Sequence, residues 1–328
     1  MPRATAQPMP YFLGTDEAGY GPNLGPLVVS ATVWHVPEGL DGQRLYEHLA
    51  GAVVRTPRDA SADRAAMADS KRLYSSGKSL RHLERGLLAA LHVLDRPVES
   101  WHDAWAALDG QSCDARQALP WYADYRCRMP LAADSDEIAR LAASLRATFD
   151  ATGVRLVDVR SRAVFPDEFN TLCRQYDSKG LALSHVTLNL LARAMRDLDQ
   201  QPIRVLCDKH GGRNRYADLL AEHFPDALVE IHGESAARST YRFGPAARRV
   251  EIAFATKAEA YLPAALASMA SKYLRELAMR ALNAFWTARV DGLHPTAGYP
   301  VDAKRFKSHI AECQKTLGID DHRLWRVK

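Results

Sequence analysis

The sequence predicts an α/β fold, and three observations carry that reading. Segments fit for strands alternate with segments at helical spacing along most of the chain. Leu27–Trp34 (LVVSATVW) is a compact apolar, β-branched run suited to a buried strand. Leu262–Trp286 is a long, strongly helical pattern.

In chain order, Tyr11–Leu13 and Leu27–Trp34 read as strands, and the segment TDEAGYGPNLGP between them must bend. Leu80, Leu83, Leu87, Leu88 and Leu91 fall at helical spacing, so Leu80–Leu94 reads as a helix stopped by Pro97. Trp101–Phe149 differs in character. It is rich in aromatics and Arg, and a helix opens at Ser135 with Glu137 in its first turn. Val154–Val164 reads as a strand; Pro166–Tyr176 and Leu183–Leu198 read as helices. Ile203–Cys207 is a short apolar strand that runs into Asp208. Leu228–His232, Thr240–Phe243 and Val250–Phe254 are further strands, the last two separated by Gly244-Pro245. A basic segment, Gly298–Lys328, holds a helix at Ala303–Leu317.

The 328 residues are 47% hydrophobic and 25% charged, which supplies a core and excludes intrinsic disorder. Lys plus Arg number 43 and Asp plus Glu 39, so the net charge of +4 does not announce a polyanion binder. Positive charge gathered on one face would still suit one. No apolar run reaches the roughly 18 residues of a membrane span, so no membrane association is expected. Met1–Pro10 lacks the apolar stretch of a secretory leader. The five scattered cysteines form no CxxC pair, which disfavours a zinc site or disulfide scaffold and points to a reducing cytoplasm.

The most informative segment is Asp16-Glu17-Ala18-Gly19-Tyr20-Gly21-Pro22-Asn23-Leu24-Gly25-Pro26. Neighbours on a strand point to opposite faces, so two adjacent carboxylates converge only where the chain bends. Converging buried carboxylates want a cation, and hard divalent ions prefer such oxygens. The plainer alternative makes Asp16 a turn cap and Glu17 a solvated side chain. Asp208 ends a strand, where α/β proteins place ligands, or else merely begins a turn. The glycine-rich, basic Lys209–Arg213 that follows could approach a phosphate. Glu276 falls at the edge of the apolar stripe of its helix, facing either a cleft or Arg280 one turn on.

Together these residues resemble the motifs of the type 2 ribonucleases H. DEAGYGPNLGP resembles their D-E-x-G-x-G-x-x-x-G-P, and Asp69-Ser70-Lys71 with Leu73 their D-S-K-x-L. The strand ending VLCD resembles the element carrying their third acid. Leu266–Glu276 resembles their A-S-I-x-A-K-x-x-R-D helix, and Gly298-Tyr299-Pro300 their C-terminal G-Y-G-T segment. The five motifs stand in the family's order. The resemblance implies a ribonuclease H-like fold, with a mixed central sheet flanked by helices. It implies hydrolysis of the RNA strand of RNA–DNA hybrids with two divalent ions, Mg²⁺ or Mn²⁺. Asp16, Glu17, Asp208 and Glu276 would be the catalytic, metal-binding acids. Gly19, Tyr20, Gly21, Ser70, Lys71, Arg213, Ser268, Lys272 and Tyr299 would contact the nucleic acid.

Three features depart from the family. The usual G-R-G, G-K-G or G-T-G loop is Gly19-Tyr20-Gly21. The fourth acid is Glu, as in the HIII branch, whose extra N-terminal domain is not expected with 15 residues before Asp16. Lys71 to Asp208 is unusually long. The expected organisation is therefore a core of residues 1–97 and 180–328 with an inserted subdomain at 98–179. Within it, Trp101, Trp105, Trp121, Tyr122, Tyr125, Arg126 and Arg128 would either stack bases or form a local core. His210 is a further candidate for proton transfer. A monomer is expected. Competing readings are a nuclease for another structured nucleic acid, a non-catalytic hybrid-binding module, and an actin-like-fold kinase.

Overall fold

The computed structural model describes residues 11–74, 79–198 and 200–327. The reading of Met1–Pro10 as free of a leader lies outside them. Seven strands form one mixed sheet: β1 (Tyr11–Ala18), β2 (Leu27–His35), β3 (Arg155–Val164), β4 (Ile203–Asp208), β5 (Glu230–Glu234), β6 (Arg238–Phe243) and β7 (Val250–Ala255). Their order across the sheet is β3-β2-β1-β4-β7-β6-β5. Strands β1, β4 and β7 are parallel neighbours, and the pairings β1–β2, β2–β3, β7–β6 and β6–β5 are antiparallel. This is the α/β class expected, with the mixed sheet flanked by helices.

The eight longer helices are α1 (Arg81–Val93), α2 (Trp101–Leu108), α3 (Ser135–Thr152), α4 (Pro166–Tyr176), α5 (Lys179–Arg196), α6 (Ala217–His223), α7 (Leu262–Thr287) and α8 (Pro300–Thr316). Both faces of the sheet are covered, which is why Leu27–His35 is a continuous apolar run and not an alternating one. Leu27, Val29 and Ala31 pack against α5 through Leu183, Val186 and Leu190. Val28 and Trp34 belong to the opposite core, with Leu266, Met269 and Tyr273 of α7.

Helix α7 lies directly on β1 and β2. A Cβ on Gly14 would stand only 2.2 Å from the Ala264 nitrogen, so glycine at this position is what lets helix and strand meet. The Thr32 hydroxyl donates to the Pro263 carbonyl at 2.8 Å, fixing the start of the helix. No helix among the described residues is long and apolar enough to cross a membrane, and all five cysteines are free thiols.

Several elements differ from the sequence reading. Strand β1 runs on through both acids, because its antiparallel pairing with β2 continues to Ala18↔Val28. Helix α5 begins at Lys179, where the Ser178 hydroxyl caps it by accepting from the Leu181 amide. Residues 217–223, unassigned from sequence, form α6. Within 98–179, β3 is the edge strand of the central sheet, paired with β2 along its length. Trp101, Trp105, Trp121 and Tyr122 are buried in the same core as Trp286 of α7. The packing therefore continues without a break between 98–179 and the rest, and these rings are core rather than a base-stacking platform.

Glu84 of α1 is fully buried, and it is satisfied. Its carboxylate accepts from the amides of Leu131 and Ala132 at 2.7 Å and Ala133 at 2.8 Å, and from the Tyr273 hydroxyl at 3.2 Å. Removing it leaves four donors, three loop amides and the buried Tyr273 hydroxyl, without their acceptor. Glu84→Ala is expected to cost about 3 kcal/mol or more, seen as a lower midpoint in chemical denaturation. An unchanged midpoint would show that the 131–133 loop finds other acceptors.

Candidate active site

Strands β1 and β4 run parallel, and their last paired residues are Thr15 and Cys207. The next residues, Asp16 and Asp208, therefore stand side by side at the carboxyl ends of adjacent strands. Beyond Thr15 the strands part, and Glu17 reaches the same crevice. Ligand oxygens of Asp16, Glu17 and Asp208 all lie within 4.8 Å of one another.

All three carboxyls are held above their ordinary range. Burial is the largest cause for each. Mutual repulsion adds to it: Glu17 and Asp208 raise Asp16, and Asp208 raises Glu17, which is pushed up to about 7. Opposing this, the Ser268 side chain hydrogen-bonds Asp16, and the amides of Lys209 and Ala258 donate to Asp208. The Lys71 ammonium also lowers both Glu17 and Asp208. Two further acids face the crevice. Glu259 follows β7, no motif marks it, and its charge acts on Glu17. Asp69 acts on Asp208 and on Glu259.

Helix α7 positions this cluster. The Ser271 hydroxyl bridges the Asp16 carbonyl (2.9 Å) and the Ser30 hydroxyl (2.8 Å). The Ser268 hydroxyl meets that of Ser70 at 3.0 Å. Ser70 and Ser268 are both buried; Ser268 hydrogen-bonds the Asp16 carboxylate, and Ser70 reaches it only through Ser268. Glu276 stands outside the three-acid group. Its carboxylate accepts from Lys272 Nζ at 2.5 Å and from the Tyr74 hydroxyl at 2.9 Å. The Lys272 ammonium also lies 4.3 Å from the centre of the Tyr74 ring. Lys272, expected on a phosphate, is thus the partner of Glu276, and Arg280 is not.

Beside the acids, Gly19 holds φ +88°, and a Cβ there would stand 2.5 Å from Arg275 Nε and 2.6 Å from the Pro26 carbonyl. Only glycine fits this turn. Tyr299 is 57% exposed and stands over Gly21. Tyr20 lines a cleft with Lys179, Gly180 and Arg213. His210 is buried, with Nδ1 3.0 Å from the Ser184 hydroxyl, and burial pushes it down to about 3. It is a neutral core side chain at ordinary pH, which argues against a role in proton transfer.

Three mutually repelling oxygen donors are a set that a hard divalent cation satisfies. Without one, each raised carboxyl binds its proton more tightly in the folded than in the unfolded chain. The metal-free protein should therefore gain stability as pH falls from about 7 toward the ordinary carboxylate range, and lose it as pH rises. In EDTA the melting temperature should drop more between pH 6 and pH 8 for the native protein than for Asp16→Asn. Excess Mg²⁺ or Mn²⁺ at pH 8 should raise the native melting temperature by several degrees, since a hundredfold excess over Kd contributes about 2.7 kcal/mol. Asp16→Asn should lose that response. A native melting point indifferent to both ions would argue against a cation site.

No family model and no curated protein matches the chain. Among solved structures it is similar to ribonuclease H2 from Pyrococcus horikoshii OT3, at 18% identity and a TM-score of 0.44, over 96% of this chain and 92% of that one. It is similar to the chain matched in the PCNA:RNase HII complex from Archaeoglobus fulgidus, at 15% identity and a TM-score of 0.41, over 98% and 94%. It is also similar to Aquifex aeolicus RNase H3, at 14% identity and a TM-score of 0.39, over 96% and 71%. These neighbours are ribonucleases H of the HII and HIII kinds, the family whose motifs the sequence resembles.

Proposed function

We propose that this chain is a metal-dependent endonuclease that hydrolyses the RNA strand of RNA–DNA hybrids. One observation carries the reading: Asp16, Glu17 and Asp208 converge within 4.8 Å at the ends of parallel strands. They do so beside the loop that the motif order assigns to the nucleic acid. The donor chemistry suits Mg²⁺ or Mn²⁺. Such ions, when bound, would supply an activated water and charge stabilisation at the leaving 3′-oxygen. Asp16, Glu17 and Asp208 would hold them. Glu276 would join as a fourth acid on exchanging Lys272 and Tyr74 for a cation.

The remaining residues bind and orient. Ser268 and Ser271 hold Asp16 in place through its carboxylate and its carbonyl. Lys71 offsets part of the negative charge that would repel an incoming phosphate. The Gly19–Gly21 backbone and Tyr299 form the edge that reads a ribose 2′-hydroxyl, the group that separates RNA from DNA. Tyr20 replaces the family's small or basic residue, and its place in a separate cleft favours a second reading, a nuclease for another structured nucleic acid.

The test is cleavage of a labelled RNA–DNA hybrid, a duplex holding one ribonucleotide, and plain duplex DNA, each with Mg²⁺ or Mn²⁺. The hybrid should be cut and plain DNA spared. Asp16→Asn should lose roughly 10³-fold in rate, because a bound ion contributes several kcal/mol of charge stabilisation. Cleavage of none of the three would end the nuclease reading. Cleavage of DNA alone would shift it to another substrate, and equal cleavage by Asp16→Asn would remove the site assignment.

A further inference from the structure

A cleft of about 860 Å³ opens beside Tyr20. Among the described residues, four cationic side chains line it, Arg174, Lys179, Arg213 and Arg215, with one carboxylate, that of Asp177. His210 also borders it but is neutral, pushed down to about 3 by burial. The cleft's lining is joined along the chain to the acid cluster at two points. Tyr20 is three residues beyond Glu17, and the loop carrying Arg213 and Arg215 begins directly after Asp208.

Its walls are fixed. The Lys209 ammonium donates to the Arg213 carbonyl (3.1 Å), Asn214 Oδ1 (2.8 Å), the Ser235 carbonyl (2.7 Å) and the Ser239 hydroxyl (3.3 Å). That lysine ties the arginine loop to the β5–β6 hairpin and leaves the arginines to face the cleft. On the other wall the 18-residue helix α5 opens with Ser178, Lys179 and Gly180 at the cleft, where the positive end of its dipole adds to the cations. The Lys179 ammonium lies 5.0 Å from the centre of the Tyr20 ring.

The cations in the cleft exceed its acids. Buried Arg213 Nε has no hydrogen-bond partner among the described residues. The nearest carboxylate to Arg215 is Glu234 at 3.8 Å, and the Arg215 side chain is 90% exposed. Among the described residues Arg174 reaches only the Thr171 hydroxyl, at 3.1 Å. Guanidinium groups with unused donors, an ammonium, a helix start and an aromatic ring make a site for a polyanion that carries flat bases.

We propose that this cleft holds the sugar–phosphate backbone of the substrate next to the cut, with Arg213 and Arg215 on its phosphates and the Tyr20 ring against a base or sugar. The proposal rests on the nuclease reading and extends it. It gives Tyr20 a role different from that of the loop residue it replaces, because its contact is with the flanking strand and not with the 2′-hydroxyl.

The test is binding of a labelled RNA–DNA hybrid by fluorescence anisotropy in EDTA, across a KCl series. Every phosphate that a cation neutralises adds about 1 to the steepness of log K against log salt. R213A/R215A should make that slope shallower by about 2, and Arg215→Ala alone, at an exposed side chain, by about 1. R213K/R215K should keep the native slope, as should Arg140→Ala, an exposed cation on α3 outside the cleft. A native slope in R213A/R215A, an equal fall in Arg140→Ala, or no binding by the native protein would overturn the proposal. Cleft-dependent binding without cleavage in Mg²⁺ or Mn²⁺ would support the cleft and remove the nuclease reading. Cleavage with a native slope in R213A/R215A would do the reverse.

Discussion

Three carboxylates that repel one another inside one crevice are the constraint around which this molecule is organised. Nothing in folding alone favours such a cluster: burial and like charge both raise the cost of ionising Asp16, Glu17 and Asp208. The surroundings lower that cost only in part, through Ser268, two backbone amides and the Lys71 ammonium. On the proposed function, a cation would complete the balance. Proteins keep arrangements of this kind at functional sites, where local destabilisation is offset by packing elsewhere.

The packing that does so here is the seat of α7 on β1. Gly14 brings the helix start against the strand, and Ser268 and Ser271 then meet Asp16 from one and two turns along. The same helix carries Arg275 under Gly19 and Glu276 beside Tyr74. One rigid element therefore sets the acids, the loop and Glu276 relative to each other. A displacement of α7 would move all three together, so distant core groups that hold α7, such as Glu84 through Tyr273, are linked to the site by geometry.

Much of this was legible in the sequence, for reasons that differ by residue. Asp16 and Asp208 could be placed because an acid closing an apolar strand is an unusual position, and the parallel register then puts them side by side. Glu259 gave no such signal, since it sits in a single turn after β7 and only the sheet order brings it to the crevice. Glu276 could be put on the right helix face, but its partner depends on Tyr74, 202 positions away in the chain. The role of β3 was hidden by its composition. Its Asp158, Arg160 and Arg162 suggest a surface strand, and they are accommodated because it is a sheet edge where Arg96, Asp197 and Glu168 pair with them.

The chain's last residues show how the loop at the site is held. Leu24 and Trp325 form an isolated bridge, and Asn23 exchanges two hydrogen bonds with Arg326, at 2.8 Å each. Asn170 fastens the same segment through the Trp325 carbonyl and the Val327 amide. Arg326 is 1% exposed, its guanidinium lies 3.8 Å from the centre of the Phe169 ring, and it donates to the Gly19 carbonyl at 2.5 Å. Burial, with the nearby Arg275 charge, pushes it down to about 9. Arg275, also buried, donates to the Ala297 carbonyl at 3.1 Å. Two guanidinium groups thus sit under Gly19–Gly21 with backbone carbonyls as their main partners. Carbonyl dipoles satisfy donors without cancelling charge; the Glu276 carboxylate, 3.9 Å from Arg275, offsets one of the two guanidinium groups. The loop is thus held from beneath by two buried cations, while among the described residues the acids beside it stay unpaired by any cation but the Lys71 ammonium.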